Sequence, residues 1–203
     1  MGFYNERILP HLVNLAMRNR DLLPYRERII SAADGRVLEV GIGSGLNLPF
    51  YRPPVAEILG LDPSPPLIAM ARQRVGRSSL PVTFIEGSAE AIPLDSGSID
   101  TVVTTWTLCS IPAAVQALAE TRRVLKPGGQ LLFVEHGLAP EEGVRKWQHW
   151  LTPVWKRIGG GCHLNRPIRS LIESAGFGID RVETGYAKGP KPMTFIYEGR
   201  ARP

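Results

Sequence analysis

Only two cysteines, Cys109 and Cys162, occur in 203 residues, and neither belongs to a CxxC pair or a regular framework. This excludes a disulfide-stapled scaffold and fits a reducing compartment. No run reaches the ~18 uninterrupted apolar residues of a membrane-spanning helix. The first segment, MGFYNERILPHLVNLAMRNRD, lacks the apolar core and small-residue cleavage site of a secretory signal. A cytoplasmic location without an integral membrane segment is the expectation. Blocks of like charge are missing too. Against 24 Lys and Arg stand 19 Asp and Glu, so the net charge of +5 describes a mildly basic, solvated surface, and no nucleic-acid partner is expected. The cysteines and four scattered histidines form no recognisable tetrahedral set, which predicts no metal. There is no repeat, low-complexity tract or linker.

What is present is ordinary for a globular chain: 43% hydrophobic and 21% charged residues, in a length that suits a single domain. Apolar positions Ile8, Leu12, Leu15 and Ala16, then Leu22, Leu23, Ile29 and Ile30, predict two N-terminal helices separated near Asp21 and Pro24. Next come a buried strand in RVLEVG, a short helix in GLNLPFY, and a second strand in EILGLD. Ser64 is placed to cap a helix running to about Gly76. VTFIEG, IDTVVTTW, a helix from about Pro112 to Leu125, and QLLFVEH after the turn KPGG continue the alternation. That rhythm predicts an α/β, Rossmann-like sheet, mostly parallel, with helices on both faces. A Trp-rich helical stretch, a glycine cluster and a helix around Pro167 to Ala175 follow. IDRVETGYA and MTFIYEG then form an antiparallel hairpin at a sheet edge, completing seven strands.

In VLEVGIGSGLNLPFY, Gly41, Gly43 and Gly45 mark the end of the first strand, where open α/β sheets bind ligands. The spacing is GxGxG; a dinucleotide site wants GxGxxG, and Leu46 stands where its third glycine would fall. Glu39 places a carboxylate two residues before the first glycine, which suits a cationic ligand better than pyrophosphate. Asp62 ends the second strand, where it can accept hydrogen bonds from both hydroxyls of a ribose, cap the next helix, or do both.

Four blocks in order, VLEVGIGSG, LGLDPSPPLIAMAR, EGSAEAIPLDSGSIDTVV and RVLKPGGQLLFVEHG, resemble the class I S-adenosylmethionine-dependent methyltransferases of the type 11 group. The resemblance implies S-adenosylmethionine as cofactor. It assigns Glu39 and the Gly41 to Gly45 loop to the methionine part, Asp62 to the ribose, and Ser88, Ala89 and Glu90 to the adenine. Ile42, Asn47, Pro63, Ser64, Thr105 and Trp106 complete the expected cofactor set. Many relatives have Asp where this chain has Ser88, a weaker acceptor for the adenine amino group; Glu90 is the substitute. On this reading residues 1–34 are N-terminal helices, 35–136 the cofactor-binding core, and 137–203 the acceptor-side helices and closing hairpin, all within one methyltransferase domain.

A narrower resemblance runs through DTVVTTWTLCSIP, VEHG, WQHWLTPVWKRIGGGCHLNRP and GYAKGP. These look like the animal methyltransferase-like seven proteins, membrane-associated enzymes that methylate small alkyl thiols, and their bacterial relatives. The hydrophobic N-terminal anchor of the animal proteins has no counterpart in this sequence. Leu9, Leu12, Val13 and Met17 share one helix face near Arg18 and Arg20; core packing is its expected use and weak peripheral contact with lipid the alternative.

Trp147, Trp150, Leu151, Val154 and Trp155 recur at helical spacing and are assigned to a pocket wall shared with the core. Tyr4, Leu108 and His163 join Trp147, Trp150 and Trp155 in the expected acceptor pocket. Methyl transfer from a sulfonium needs an in-line nucleophile, and a base only where the acceptor is protonated. Glu135 and His136, ending strand five, are the candidates to assist, with His163 and His149 behind them; Cys109 is read as packing. The leading expectation is methyl transfer to a small, fairly apolar acceptor, a thiol first and a lipid amine or quinone-type ring next. A nicotinamide-dependent oxidoreductase and a noncatalytic nucleoside-binding module are the readings from other classes. The oligomeric state is left open.

Overall fold

The computed structural model describes residues 2–77 and 80–203. Seven strands form one sheet: β1 (Gly35–Val40), β2 (Val55–Asp62), β3 (Val82–Glu86), β4 (Ile99–Thr105), β5 (Leu125–His136), β6 (Gly178–Tyr186) and β7 (Phe195–Arg202). Their order is β3-β2-β1-β4-β5-β7-β6. The first five strands pair in parallel; β7 runs antiparallel between β5 and β6, so the closing hairpin inserts its second strand next to the parallel set.

β1 lies between β2 and β4, and the chain leaves it toward one edge before returning to start β4 on its other side. That reversal opens a crevice beyond the carboxyl ends of β1 and β4, because the two connections diverge there. Helices cover both faces: α1 (Leu9–Ala16), α2 (Leu23–Ile30), α3 (Pro65–Arg72), α4 (Ala114–Val124), α5 (Glu142–Ile158), α6 (Ile168–Ser174) and the short α7 (Lys191–Thr194). Alternation along β1 divides the core. Leu38 and Val40 pack with Leu118, Ile168 and Ile172 of α4 and α6, while Val37 packs with Ile29 and Ile30 of α2 on the opposite face.

Several boundaries differ from expectation. GLNLPFY makes a turn and a single 3-10 turn over Leu48–Phe50 in place of a helix, with Pro49 inside it. α3 stops at Arg72, short of Gly76, and a 3-10 turn follows over Val75–Arg77. Ser64 holds the N-cap position of α3 without a capping bond from its side chain.

α5 reverses the expected amphipathic sense. Its polar residues Gln148 and Thr152 are buried, while Trp147 and Trp150 are 57% and 70% exposed and touch each other edge to face. Gln148 explains the inversion: its Oε1 accepts from Ala139 N–H at 2.9 Å, and its Nε2 donates to the Gly137 and Pro192 carbonyls at 3.0 and 3.2 Å. One amide thereby fastens α5 to the exit of β5 and to α7. Gln148→Leu is expected to lower unfolding free energy by about 2–4 kcal/mol through unpaired buried backbone groups, and Trp150→Ala by no more than about 0.5 kcal/mol. Urea denaturation of the two variants checks the contrast.

Candidate active site

The crevice is a cavity of about 750 Å³ that runs from the glycine loop to the ends of β4 and β5. Its size lies within the range of small-molecule sites. The loop glycines divide the work. Gly41, at φ +73°, leaves no room for a Cβ against the Thr107 side chain. Gly45, at φ +75°, is packed against Leu48 and Ala71 and does not line the cavity. Gly43, at φ +55°, borders the cavity with nothing nearer to a Cβ than the Gly41 carbonyl at 3.9 Å, so its backbone lies open to a ligand.

Asp62 fixes that loop. Its Oδ2 accepts the Gly43 N–H at 2.9 Å and its Oδ1 the Ser64 N–H at 2.8 Å. Burial raises the Asp62 pKa against these two bonds. Each oxygen keeps a lone pair, so the carboxylate can organise the loop and still accept from ligand hydroxyls.

Glu39 is 1% exposed in the cavity wall. Its Oε1 accepts from Asn47 Nδ2 at 2.7 Å and its Oε2 from the Tyr51 hydroxyl at 2.9 Å. Asn47 also donates to Thr105 Oγ1 at 2.9 Å and accepts from Arg26, whose other terminal nitrogen donates to the Met17 carbonyl at 3.2 Å. Arg26 is buried over the Trp106 ring, its guanidinium carbon 4.8 Å from the centroid. Burial pushes Glu39 up to about 7 and brings Arg26 down to about 10. Arg26 and Tyr51 carry no signal of this role in the sequence, where they are an ordinary helix arginine and one more apolar position after the loop.

α1 roofs the cavity. Leu9, Leu12, Val13, Asn14 and Met17 line it, and half-exposure of this helix overturns the expected core packing of its apolar face. Asn14 Oδ1 accepts from Ser44 Oγ at 2.8 Å and from Arg74 at 3.0 Å, and the Tyr4 hydroxyl donates to the Ile158 carbonyl at 2.7 Å.

At the far end, the turn after β4, the last residues of β5 and the turn after α5 converge. His136, 5% exposed, lines the cavity with Cys109, Cys162 and Trp155. Its Nδ1 lies 3.9 Å from Cys162 Sγ, and its buried Nε2 has no hydrogen-bond partner among the described residues. The thiols divide: a shared hydrogen bond and burial push Cys109 up, and the same bond holds Cys162 down. Gly161, at φ +85°, makes this approach possible, since a Cβ there would stand 3.0 Å from the Ser110 carbonyl oxygen. The His163 N–H donates to the Cys109 carbonyl at 2.8 Å, and Arg166 Nη1 to the carbonyls of Leu108 and Ile111, both at 2.6 Å.

The cavity wall gathers Glu39, Gly41, Ile42, Gly43, Asn47, Asp62, Pro63, Ser64, Ser88, Ala89, Thr105, Trp106, Tyr4, Trp155 and His136 from the expected set. Others fall elsewhere. Glu90 turns away: its Oε1 accepts from Ala113 N–H at 2.7 Å and its Oε2 from the Ser88 hydroxyl at 3.1 Å. Leu108 is core, His163 holds the Cys109 turn from behind, and Trp147 and Trp150 face outward. Glu135 is fully buried beneath the turn after β4, accepting the Thr107 N–H at 3.1 Å; burial pushes it up to about 7. His149 is exposed, 2.7 Å from Asn165 Nδ2. Cys109, expected only to pack, reaches the cavity.

A raised carboxyl pKa means that the folded chain binds the Glu39 proton more tightly than the unfolded chain does. Its contribution to stability is fully present below about pH 4.5 and is lost as pH rises through 7. Between pH 5 and pH 8 the ligand-free protein is expected to lose about 1–3 kcal/mol more than Glu39→Gln, read from urea denaturation at the two pH values. Equal losses would remove Glu39 as the source.

Comparison with known proteins agrees with this geometry. A family model described as a methyltransferase domain matches residues 38–133. The chain is 35% identical to the thiol S-methyltransferase TMT1B of Homo sapiens over 176 residues, 84% of this chain and 70% of that protein. It is 33% identical to the demethylmenaquinone methyltransferase of Thermus thermophilus over 138 residues, 67% of this chain and 61% of that one. The chain spans 62–70% of the length of the thiol S-methyltransferases it matches. The S-adenosylmethionine-dependent methyltransferase of Mesorhizobium loti shares its fold, with a TM-score of 0.67 at 17% identity over 91% of this chain and 99% of that one. The nicotinamide reading falls with these findings: the chain belongs to the class I S-adenosylmethionine-dependent methyltransferases.

Proposed function

We propose that the protein transfers the methyl group of S-adenosylmethionine to the sulfur of a small, fairly apolar thiol. The observation that carries this reading is the likeness to thiol S-methyltransferases, four of which match at 35–38% identity. A span covering 84% of the chain takes in the turn after β4, the end of β5 and the turn after α5 wherever it begins, far beyond the family domain at residues 38–133. Those three segments line the far end of the cavity. A thiol of pKa near 8.5 is partly ionised at neutral pH, so positioning and desolvation supply much of what its methylation needs. The sulfonium loses its charge as the methyl departs, and a largely apolar wall favours that loss.

On this reading Asp62 accepts from the ribose hydroxyls, Gly43 lies against the cofactor chain, and Ser88 and Ala89 flank the adenine. Glu39 and Arg26, bridged by Asn47, offer opposite charges to the amino and carboxylate groups of the methionine tail. Asp62→Ala is expected to weaken both S-adenosylmethionine and adenosine by about 1–3 kcal/mol, whereas Arg26→Gln weakens S-adenosylmethionine by about 1.5–3 kcal/mol and leaves adenosine unchanged. Calorimetric titration of both ligands separates the roles, and equal losses for adenosine with Arg26→Gln would remove it from the tail site.

The likeness to demethylmenaquinone methyltransferases, one of which matches over 81% of the chain at 38% identity, favours a quinone-type ring as the second reading. Incubation with methyl-labelled S-adenosylmethionine and an alkyl thiol, a demethylmenaquinol or phosphatidylethanolamine distinguishes the acceptors. The expected product is the labelled thioether; label found only on the quinol ring or the lipid amine would overturn the thiol assignment.

A further inference from the structure

The far end of the cavity holds more than a pocket wall. One ligand atom each from Cys109, His136 and Cys162 lies within 4.8 Å of the others, a constellation that sequence spacing hid because the residues come from three separate turns and strand ends. All three line the cavity. Nδ1 of His136 has a sulfur, Cys162 Sγ, as its hydrogen-bonding neighbour at 3.9 Å, so no backbone or carboxylate partner among the described residues holds that ring nitrogen. We propose that Cys109, His136 and Cys162 bind a zinc ion whose fourth position, open to the cavity, takes the sulfur of the acceptor thiol; the second half rests on the thiol reading above.

The geometry is close to what zinc requires. With Zn–S near 2.3 Å and Zn–N near 2.0–2.1 Å, tetrahedral ligand atoms stand roughly 3.4–3.8 Å apart. The three atoms therefore close on an ion with side-chain adjustments of about 1 Å. Their backbones are already fixed. Arg166 ties down both flanks of the Cys109 turn, the His163 N–H holds the Cys109 carbonyl, and His136 ends β5 in register with Ile196 of β7. Two thiols and an imidazole form a donor set that suits zinc and disfavours magnesium or calcium. Three protein ligands with one vacant position are the arrangement of a catalytic zinc, whereas structural zinc is closed by a fourth side chain.

Such an ion would answer a specific chemical need. An alkyl thiol bound to zinc gives its proton to solvent and remains as a thiolate at neutral pH. Its sulfur forms a bond to the methyl carbon as the bond from that carbon to the sulfonium sulfur breaks. The electron pair of the broken bond stays on the departing sulfur, which becomes the neutral thioether of S-adenosylhomocysteine. The methylated product is itself a neutral thioether, a weak zinc ligand, and leaves the fourth position free. Zinc with two protein thiolates is neutral; the acceptor thiolate adds one negative charge, and the Arg166 guanidinium, bonded to the Leu108 and Ile111 carbonyls on either side of Cys109, supplies positive charge at that end.

Cobalt(II) titration of the full chain, after treatment with a chelator and without S-adenosylmethionine, tests the site. The expected result is about one cobalt per chain with thiolate-to-cobalt charge transfer in the near ultraviolet and strong tetrahedral bands in the visible. Ethanethiol should shift the visible bands, and Cys162→Ser should weaken metal binding by at least about tenfold. Wild-type protein without the charge-transfer band, or with visible bands that ethanethiol leaves unmoved, overturns the proposal whether or not the variant folds. Ethanethiol methylated at full rate by chelator-treated protein would overturn the metal and leave the thiol reading intact. If ethanethiol moves the bands but zinc-loaded protein methylates no thiol, the thiol reading falls instead.

Discussion

A carboxylate buried at the end of a central strand must be surrounded by donors, and the walls of the cavity are arranged by that demand. Glu39 draws Asn47 and Tyr51 inward from the loop after β1. Asn47 then reaches Thr105 at the end of β4 and Arg26 on α2, and Arg26 reaches the Met17 carbonyl at the end of α1. Four separate stretches of chain are thus held together by one strand-end acid, in an interior where each bond strengthens its neighbours. The N-terminal helices, which the sequence presents as a preface to the sheet, are part of the binding chamber for this reason.

Much of the fold is legible in the sequence because parallel strands buried on both faces must read as aliphatic runs, as VLEV, EILGLD and QLLFV do. The place of the loop glycines and Asp62 at adjacent strand ends is legible for a different reason: it follows from backbone position, which chain order fixes. Residues that act across elements are harder. Periodicity places Trp147, Trp150 and Val154 on one face of α5 but does not say which face turns inward, and Gln148 decides it by pairing backbone groups of Gly137, Ala139 and the distant Pro192, a bonding that periodicity does not encode. Glu90 looks like an adenine partner until the Ala113 N–H, 23 residues away, occupies its carboxylate. Cys109 and Cys162 are 53 positions apart, and only the return of the chain after α5 makes them neighbours.

The two halves of the chamber are built by contrasting means. Around the glycine loop, charged and amide side chains bond to one another across the interior. At the far end, side chains such as Arg166 and Glu135 bond to backbone and leave the cavity surface to sulfur, imidazole and indole. The first kind of wall offers fixed charges and amides; the second offers soft, polarisable groups. On the proposed reading, a methyl group passing from one to the other moves from a cationic sulfur toward a softer and less polar surface.

The glycine cluster after α5 has a consequence for how this sequence can change. Gly161 passes so close to the Ser110 carbonyl that the two turns share a single steric tolerance. A side chain gained at position 161 would have to be matched by a retreat of the backbone at 110, and that retreat would carry Cys109 with it. Positions 110 and 161 are therefore bound to drift together or not at all, a steric coupling added to the hydrogen bonds by which His163 and Arg166 hold the same turn.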